Sequence, residues 1–282
     1  HLPKERILIW DPATLEGRCA DIRVTGPRDP TVIASGDVVR LREKSSLVSV
    51  IYRRGSLANV LFATERCNSL CLMCSQPPRN EDDSWRVGEL IELIELIDSD
   101  EIQLGVTGGE PTLLGDGLAS VLDACAEHLP DTALHVLTNG RLFANQELAE
   151  LLVDAGGEKT TWAIPLYADG PERHDEIVDA DGAFAETLAG LAELARLNAR
   201  VEIRVVLHAL SIPRLPQLTD FIYRRLPFVE HVALMGLEPM GLAKGNREKL
   251  WIDPADYLTS LEIATRRLAD RGMNVSIYNL PL

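Results

Sequence analysis

No run of about 18 consecutive apolar residues occurs in this 282-residue chain, which removes the usual signature of a membrane-spanning helix. The N-terminus also lacks a basic segment followed by an apolar stretch and a small-residue cleavage site, so a cytoplasmic protein is expected. Positive charge is scarce. With 28 Lys and Arg against 43 Asp and Glu, the formal net charge is −15 at pH 7. Such a surface repels a phosphate backbone, which argues against nucleic acid as a partner. Low-complexity segments are missing, and 46% hydrophobic with 25% charged residues is ordinary for a globular chain. Cysteine is sparse and uneven: there are five, three of them within eight positions, while Cys19 and Cys125 stand alone. A disulfide framework calls for an even, dispersed set, so the lone pair reads as ordinary buried thiols. The first residue is His1 rather than Met and the last β-like stretch stops at Leu282, so trimmed ends are expected.

Two regions differ in pattern. Residues 1–57 carry short β-like runs at Arg6–Trp10, Thr31–Ala34, Val38–Leu41 and Leu47–Tyr52, separated by turn signals at Asp11-Pro12, Gly26-Pro27 and Ser35-Gly36-Asp37. A small β-rich N-terminal module is expected there. From residue 58 to 282, β-like runs at 59–64, 102–107, 133–138, 160–167, 201–208 and 231–235 alternate with helical stretches near 86–98, 116–128, 145–155, 184–197, 214–225 and 254–271. Strand and helix in alternation make parallel βα units, and six of them suit an α/β fold of the partial (β/α)6 TIM-like barrel kind. Such barrels put their chemistry at the C-terminal ends of the strands, where loops are free to vary.

Directly after the first barrel strand comes Cys67-Asn-Ser-Leu-Cys71-Leu-Met-Cys74, a C-x3-C-x2-C spacing. Three soft thiolates in one loop suit zinc or an iron–sulfur centre. A closed zinc site needs a fourth ligand. The nearest other Cys and His, Cys125 and His128, lie far along the chain. A [4Fe-4S] cluster held by three thiolates instead leaves one iron open to a small molecule bearing an amine and a carboxylate.

That spacing, after the first strand of a partial barrel, resembles the radical S-adenosylmethionine (SAM) superfamily. Thr107-Gly-Gly-Glu-Pro111 follows the second strand and resembles the family's GGEP segment; Leu137-Thr-Asn-Gly140 follows the third and resembles its Thr-Asn-Gly; Asp169-Gly-Pro-Glu-Arg-His-Asp175 is similar to a stretch of peptide-modifying members. The resemblance implies that Cys67, Cys71 and Cys74 hold a [4Fe-4S] cluster, and that SAM is cleaved to methionine and a 5′-deoxyadenosyl radical. It also implies that Glu110 meets the SAM ammonium, in a loop shaped by Thr107, Gly108 and Gly109, where glycine permits close backbone approach. Asn139 can face the SAM ribose or adenine, or serve only as an Asn-Gly turn. Arg204, if it points inward, can hold the SAM carboxylate, or simply pair with Glu202 on the same strand face. Met73 stands before the third cysteine, where an aromatic residue often lies near the adenine in this family. His208, Glu238, Tyr167, His174 and Asp175 are substrate-contact or loop-bracing candidates, and Met235 and Met240 read as core or gap filler rather than ligands.

At finer grain, Thr64-Glu-Arg-Cys-Asn68, Cys71-Leu-Met-Cys-Ser-Gln-Pro-Pro78, Val201–His208, Leu234–Gly241, Leu250–Tyr257 and Val275–Asn279 resemble the radical SAM maturases of His-Xaa-Ser peptide systems. This implies a ribosomally made precursor peptide as substrate, a second radical SAM protein as partner and a reductant such as flavodoxin or ferredoxin. Such members usually continue with further cysteines that could carry an auxiliary cluster or metal, in an extension beyond the present end. Two other readings stay open: a radical SAM enzyme of small metabolites, and a non-catalytic metal-binding module.

Overall fold

The computed structural model describes residues 5–9, 33–42 and 48–280. Cys19, the Asp11-Pro12 and Gly26-Pro27 turns and the first half of the Thr31–Ala34 run fall outside them. Its last two residues, Ile33 and Ala34, are described and belong to no strand, which corrects that part of the reading. The first element group is an antiparallel sheet of β1 (Glu5–Ile9), β2 (Val38–Arg42) and β3 (Val48–Tyr52), in that order. Its docking on the rest is polar at the edges and apolar between. Arg40 binds Glu89 through two contacts of 2.6 Å, the Tyr52 hydroxyl donates to Glu101 at 2.6 Å, and Val38 and Tyr52 join the main core.

Seven parallel strands follow in one sheet, in simple chain order: β4 (Val60–Phe62), β5 (Gln103–Thr107), β6 (Ala133–Leu137), β7 (Thr160–Pro165), β8 (Arg200–Leu207), β9 (His231–Gly236) and β10 (Asn274–Tyr278). Helices cross between them: α1 (Arg86–Ile94), α2 (Asp116–His128), α3 (Gln146–Gly156), α4 (Pro171–Val178), α5 (Ala183–Arg196), α6 (Leu215–Arg225), the short α7 (Leu242–Gly245) and α8 (Arg247–Leu250), and α9 (Pro254–Ala269). Each step from strand to strand advances by one place, so neighbours in sequence are neighbours in the sheet. β4 and β10 end the order without pairing with each other, so the barrel is partial and open. One strand more than the six expected is present. The stretch read only as a terminal β-run pairs in parallel with β9, from Asn274 against His231 to Tyr278 against Met235.

Strand alternation sorts the residues. On β8, Val201, Ile203, Val205 and Leu207 are buried in the core shared with the helices, while Glu202, Arg204 and Val206 line cavities on the other face. On β8 the polar residues Glu202 and Arg204 thus fall on the cavity side, and the site is built there.

Candidate functional site

The cysteine loop leaves the end of β4 and is tied down from several sides. At its start, Asp83 accepts from the Thr64 hydroxyl at 2.8 Å and the Glu65 amide at 2.6 Å, with the Arg66 Nε at 3.3 Å. Beside it, the Gly109 amide donates to the Thr64 carbonyl and the Glu110 amide to the Arg66 carbonyl, both at 2.7 Å. A Cβ on Gly109 would run into the Arg66 carbonyl, so this glycine is required by contact with the cysteine loop itself. Further along, the Leu70 and Leu72 amides donate to the Val178 and Ile177 carbonyls at the end of α4. On the opposite side the Leu242 amide donates to the Cys74 carbonyl at 2.8 Å, and Asn246 Nδ2 to the Leu72 carbonyl at 2.9 Å. Arg141 reaches across from β6 to the Asn68 carbonyl and, at 3.0 Å, to the Ser69 hydroxyl.

The loop so held lines a cavity of about 300 Å³ with Cys67, Cys71, Cys74 and Met73; Thr107, Gly108, Gly109, Asn139, Tyr167 and Arg204 face the same space. A cavity this size suits a small ligand. A larger cleft of about 860 Å³ lies between α3, β7 and the start of β8, lined by Glu150, Asp154, Trp162 and Arg200, and contains no cysteine. The smaller cavity is the one with chemistry in its walls.

Within it, burial pushes the Cys67 thiol up to about 11, with Glu110 and Cys74 adding to the effect. Burial also pushes Cys71 up to about 12, with repulsion from Cys67 and Cys74 contributing, and raises Cys74. Three thiols that repel one another as anions need a cation to become thiolates together. Among the described residues no three His, Cys, Asp or Glu side chains converge as a single metal ion requires. A four-iron cube asks for something different, one thiolate at each of three separate corners. Three thiols in the wall of one cavity are the donor set that such a cluster takes.

Glu110 is fully buried and does not line the cavity. Its Oε1 accepts from the Thr112 amide at 3.0 Å and the Thr112 and Thr138 hydroxyls at 2.6 Å, and Oε2 accepts from the Asn139 amide at 2.6 Å. Burial raises its carboxyl despite these donors. Oε2 accepts from that single donor and keeps room for another. The Asn139 side chain donates to Asn68 Oδ1 at 2.5 Å and accepts from the Arg141 amide at 3.1 Å, so it bridges to the cysteine loop. Met73 is buried against Tyr167, Ile177 and Leu250. Arg204 lies on the cavity floor with Nη1 at 3.3 Å from Glu202 and Nη2 at 3.0 Å from the Met235 sulfur.

The remaining candidates separate. Tyr167 lines the cavity and stacks on His174 with ring centroids 5.8 Å apart. His174 and His208 are buried and pushed down to about 4 by burial, which keeps both neutral. Asp175 accepts from the Gly182 and Phe184 amides and braces the start of α5, and Asp169 forms a two-contact pair with Arg214. Glu238 is exposed and accepts from Asn279. Met240, on a strand-end turn, is about half exposed, which corrects its reading as core or gap filler, while Met235 is half-buried in the cavity wall. Cys125 is buried as expected. Asp83, Arg141, Gly241 and Asn246 are not singled out by the sequence reading. Each acts across a long sequence separation, which leaves no local spacing to read.

A family model described as the radical SAM superfamily matches residues 61–222. No curated protein matches the chain. Among solved structures, SuiB of Streptococcus suis bound to S-adenosylmethionine aligns with a TM-score of 0.59 at 18% identity, covering 79% of this chain and 50% of SuiB. The protein anSMEcpe, solved with bound AdoMet and the Cp18Cys peptide, aligns with a TM-score of 0.58 at 15% identity, over 77% of this chain and 62% of that one. HemN of Escherichia coli, a coproporphyrinogen III oxidase, aligns with a TM-score of 0.56 at 14% identity, over 76% of this chain and 52% of its own. The chain thus spans about half to under two thirds of the length of these structures.

Proposed function

Because this chain belongs to the radical SAM superfamily, we propose that it binds a [4Fe-4S] cluster through Cys67, Cys71 and Cys74 and uses SAM to modify a ribosomally made peptide of the His-Xaa-Ser type. The single observation that carries the cofactor reading is the common cavity: three thiols, the Thr107-Gly108-Gly109 loop, Asn139 and Arg204 all face it. When bound, the cluster and SAM supply reductive cleavage to methionine and a 5′-deoxyadenosyl radical. The chain's own residues do the rest. Gly109 and Glu110 lock the SAM loop to the cysteine loop through two backbone hydrogen bonds, so the two halves of the site keep one geometry. Thr107, Gly108 and Gly109 would face the SAM amine with Glu110 buried behind them, Arg204 would receive the carboxylate, and Met73 would pack beside the adenine. Tyr167 and Met235 close the walls against water.

Peptide chemistry is favoured over a small metabolite by two observations. One fold relative was solved with AdoMet and a peptide together. The segments from Thr64 to Asn279 that resemble the His-Xaa-Ser maturases run the length of the barrel. A second radical SAM protein, a flavodoxin or ferredoxin reductant, a cytoplasmic setting and an auxiliary cluster or metal in a C-terminal extension belong to the same proposal.

Co-expression with a His-Xaa-Ser precursor peptide, followed by mass spectrometry of the peptide, tests it. A mass change made by the wild type and abolished by Cys71→Ala is expected. A peptide modified equally by that variant contradicts the proposal.

A further inference from the structure

We infer that Glu202 is a positioning residue for SAM: held by His231 and Ser276, it fixes the Arg204 guanidinium on the cavity floor so that its free edge meets the ligand carboxylate. This rests on the proposed role of Arg204. The arrangement begins in sheet register. Glu202 on β8 sits opposite His231 on β9, which sits opposite Asn274 on β10, and Ser276 is two residues further along the same face.

The contacts make one chain. Ser276 Oγ lies 2.9 Å from His231 Nε2, His231 Nδ1 lies 2.7 Å from Glu202 Oε2, and Glu202 Oε1 lies 3.3 Å from Arg204 Nη1. His135 on β6 adds its Nε2 at 3.3 Å from the same Oε1. A neutral His231 satisfies both ends if the serine hydroxyl donates to Nε2 and Nδ1–H donates to the carboxylate. Burial works against the Glu202 carboxylate, yet the hydrogen bond with His231 and the nearby His135 ring and Arg204 charge outweigh it and hold the group below its usual range. Glu202 is thus an anion with its own donors, fixed before any ligand arrives.

The network also has a place. It forms the layer between the cysteine-lined cavity and a second one of about 440 Å³ at the other ends of the strands, lined by Glu202, His135 and His231. Arg204 is the member that reaches the first cavity. With Nη1 turned to Glu202 and Nη2 to the Met235 sulfur, a weak acceptor, the rest of the fork stays available for a bidentate carboxylate. An arginine already ordered loses little freedom on binding, whereas a loose one must be ordered by the ligand. Removing the carboxylate of Glu202 should therefore weaken only ligands that use Arg204.

The test compares SAM with decarboxylated SAM, which lacks the group Arg204 is proposed to hold. Dissociation constants are measured on the cluster-loaded wild type and on Glu202→Gln, Ser276→Ala and Arg204→Gln. Glu202→Gln is expected to bind SAM roughly tenfold more weakly, the scale of ordering one long side chain, with decarboxylated SAM changed by less than about twofold. Ser276→Ala should show the same selectivity at smaller size, and it decides the matter if Glu202→Gln does not load its cluster. If Arg204→Gln discriminates the two ligands but neither network variant does, the inference about Glu202 is overturned while Arg204 keeps its role. If Arg204→Gln weakens both ligands equally, the carboxylate reading itself fails, and the inference with it.

Discussion

Asp83 shows how much one buried carboxylate can organise. Its oxygens gather the Thr64 hydroxyl, the Glu65 amide and the Arg66 guanidinium, with Arg86 Nε at 3.5 Å, so the first turn of the cysteine loop hangs on one anion. Asp83→Asn keeps the shape but turns an amide NH2 toward donors and takes the carboxylate away from Arg66, while Arg86 keeps Glu65. A loss of about 2–4 kcal/mol is expected, with less iron retained after reconstitution, read from thermal unfolding and iron analysis. His208 gives a second prediction. It is fully buried with Nδ1 accepting from the Leu210 amide, and its ring is pushed from 6.5 to about 4 by burial. The unfolded chain then binds more protons between those values, so the stability His208 confers is complete above 6.5 and is lost as pH falls from there toward 4. By pH 5 that amounts to about 2 kcal/mol. Unfolding temperature measured from pH 8 to 5 should fall more steeply for the wild type than for His208→Phe; parallel curves would remove the histidine from the account. At this scale the three cysteines were legible because their spacing is local. Asp83, 19 residues after Thr64, and Arg141, more than 70 after Asn68, were not, because only the fold brings those side chains to the loop.

Among elements, the segment Gly241–Asn246 works as a clamp on the cysteine loop from the β9 side. Gly241 has φ 52° and ψ −128°, a region that side chains avoid, and a Cβ there would strike the Cys74 and Ser75 carbonyls. Gly241→Ala should thus displace that side of the loop at a cost of about 1–3 kcal/mol. Cluster content after anaerobic reconstitution should drop well below wild type while far-ultraviolet circular dichroism is kept; full iron loading would show that the clamp is dispensable. The barrel elements are readable in sequence because β-branched runs and helical periodicity alternate, and the six expected strands and helices all form. Helix α4 escapes that reading since its sequence PERHDEIV is mostly polar. Pro171 at its first turn and burial of His174, Ile177 and Val178 make it helical. β10 is visible as a β-run, but its place in the sheet depends on pairing with β9, which sequence pattern does not encode.

Across the whole molecule, the two faces of the sheet divide the labour. The outer face packs helices into one apolar core, and the inner face stacks a polar layer of His135, Glu202, His231 and Arg204 beneath the thiol-lined cavity. The acidic surface takes no part in that architecture and bears on solubility and partners alone. The family and the three cysteines proposed as ligands were legible before any coordinates, since they rest on short motifs at strand ends. The polar floor was not, because Glu202 and Arg204 read equally well as a solvated pair until the register of three strands places them inside.

The claim beneath all of this is that the three thiols leave one iron of the cluster open to SAM in the shared cavity. Electron paramagnetic resonance of the anaerobically reconstituted, reduced protein tests it directly. The account predicts a [4Fe-4S]+ signal whose g values shift when SAM is added, with the signal lost in Cys71→Ala. A wild-type signal that SAM leaves unchanged, or a protein that takes up one zinc ion and no iron, contradicts it.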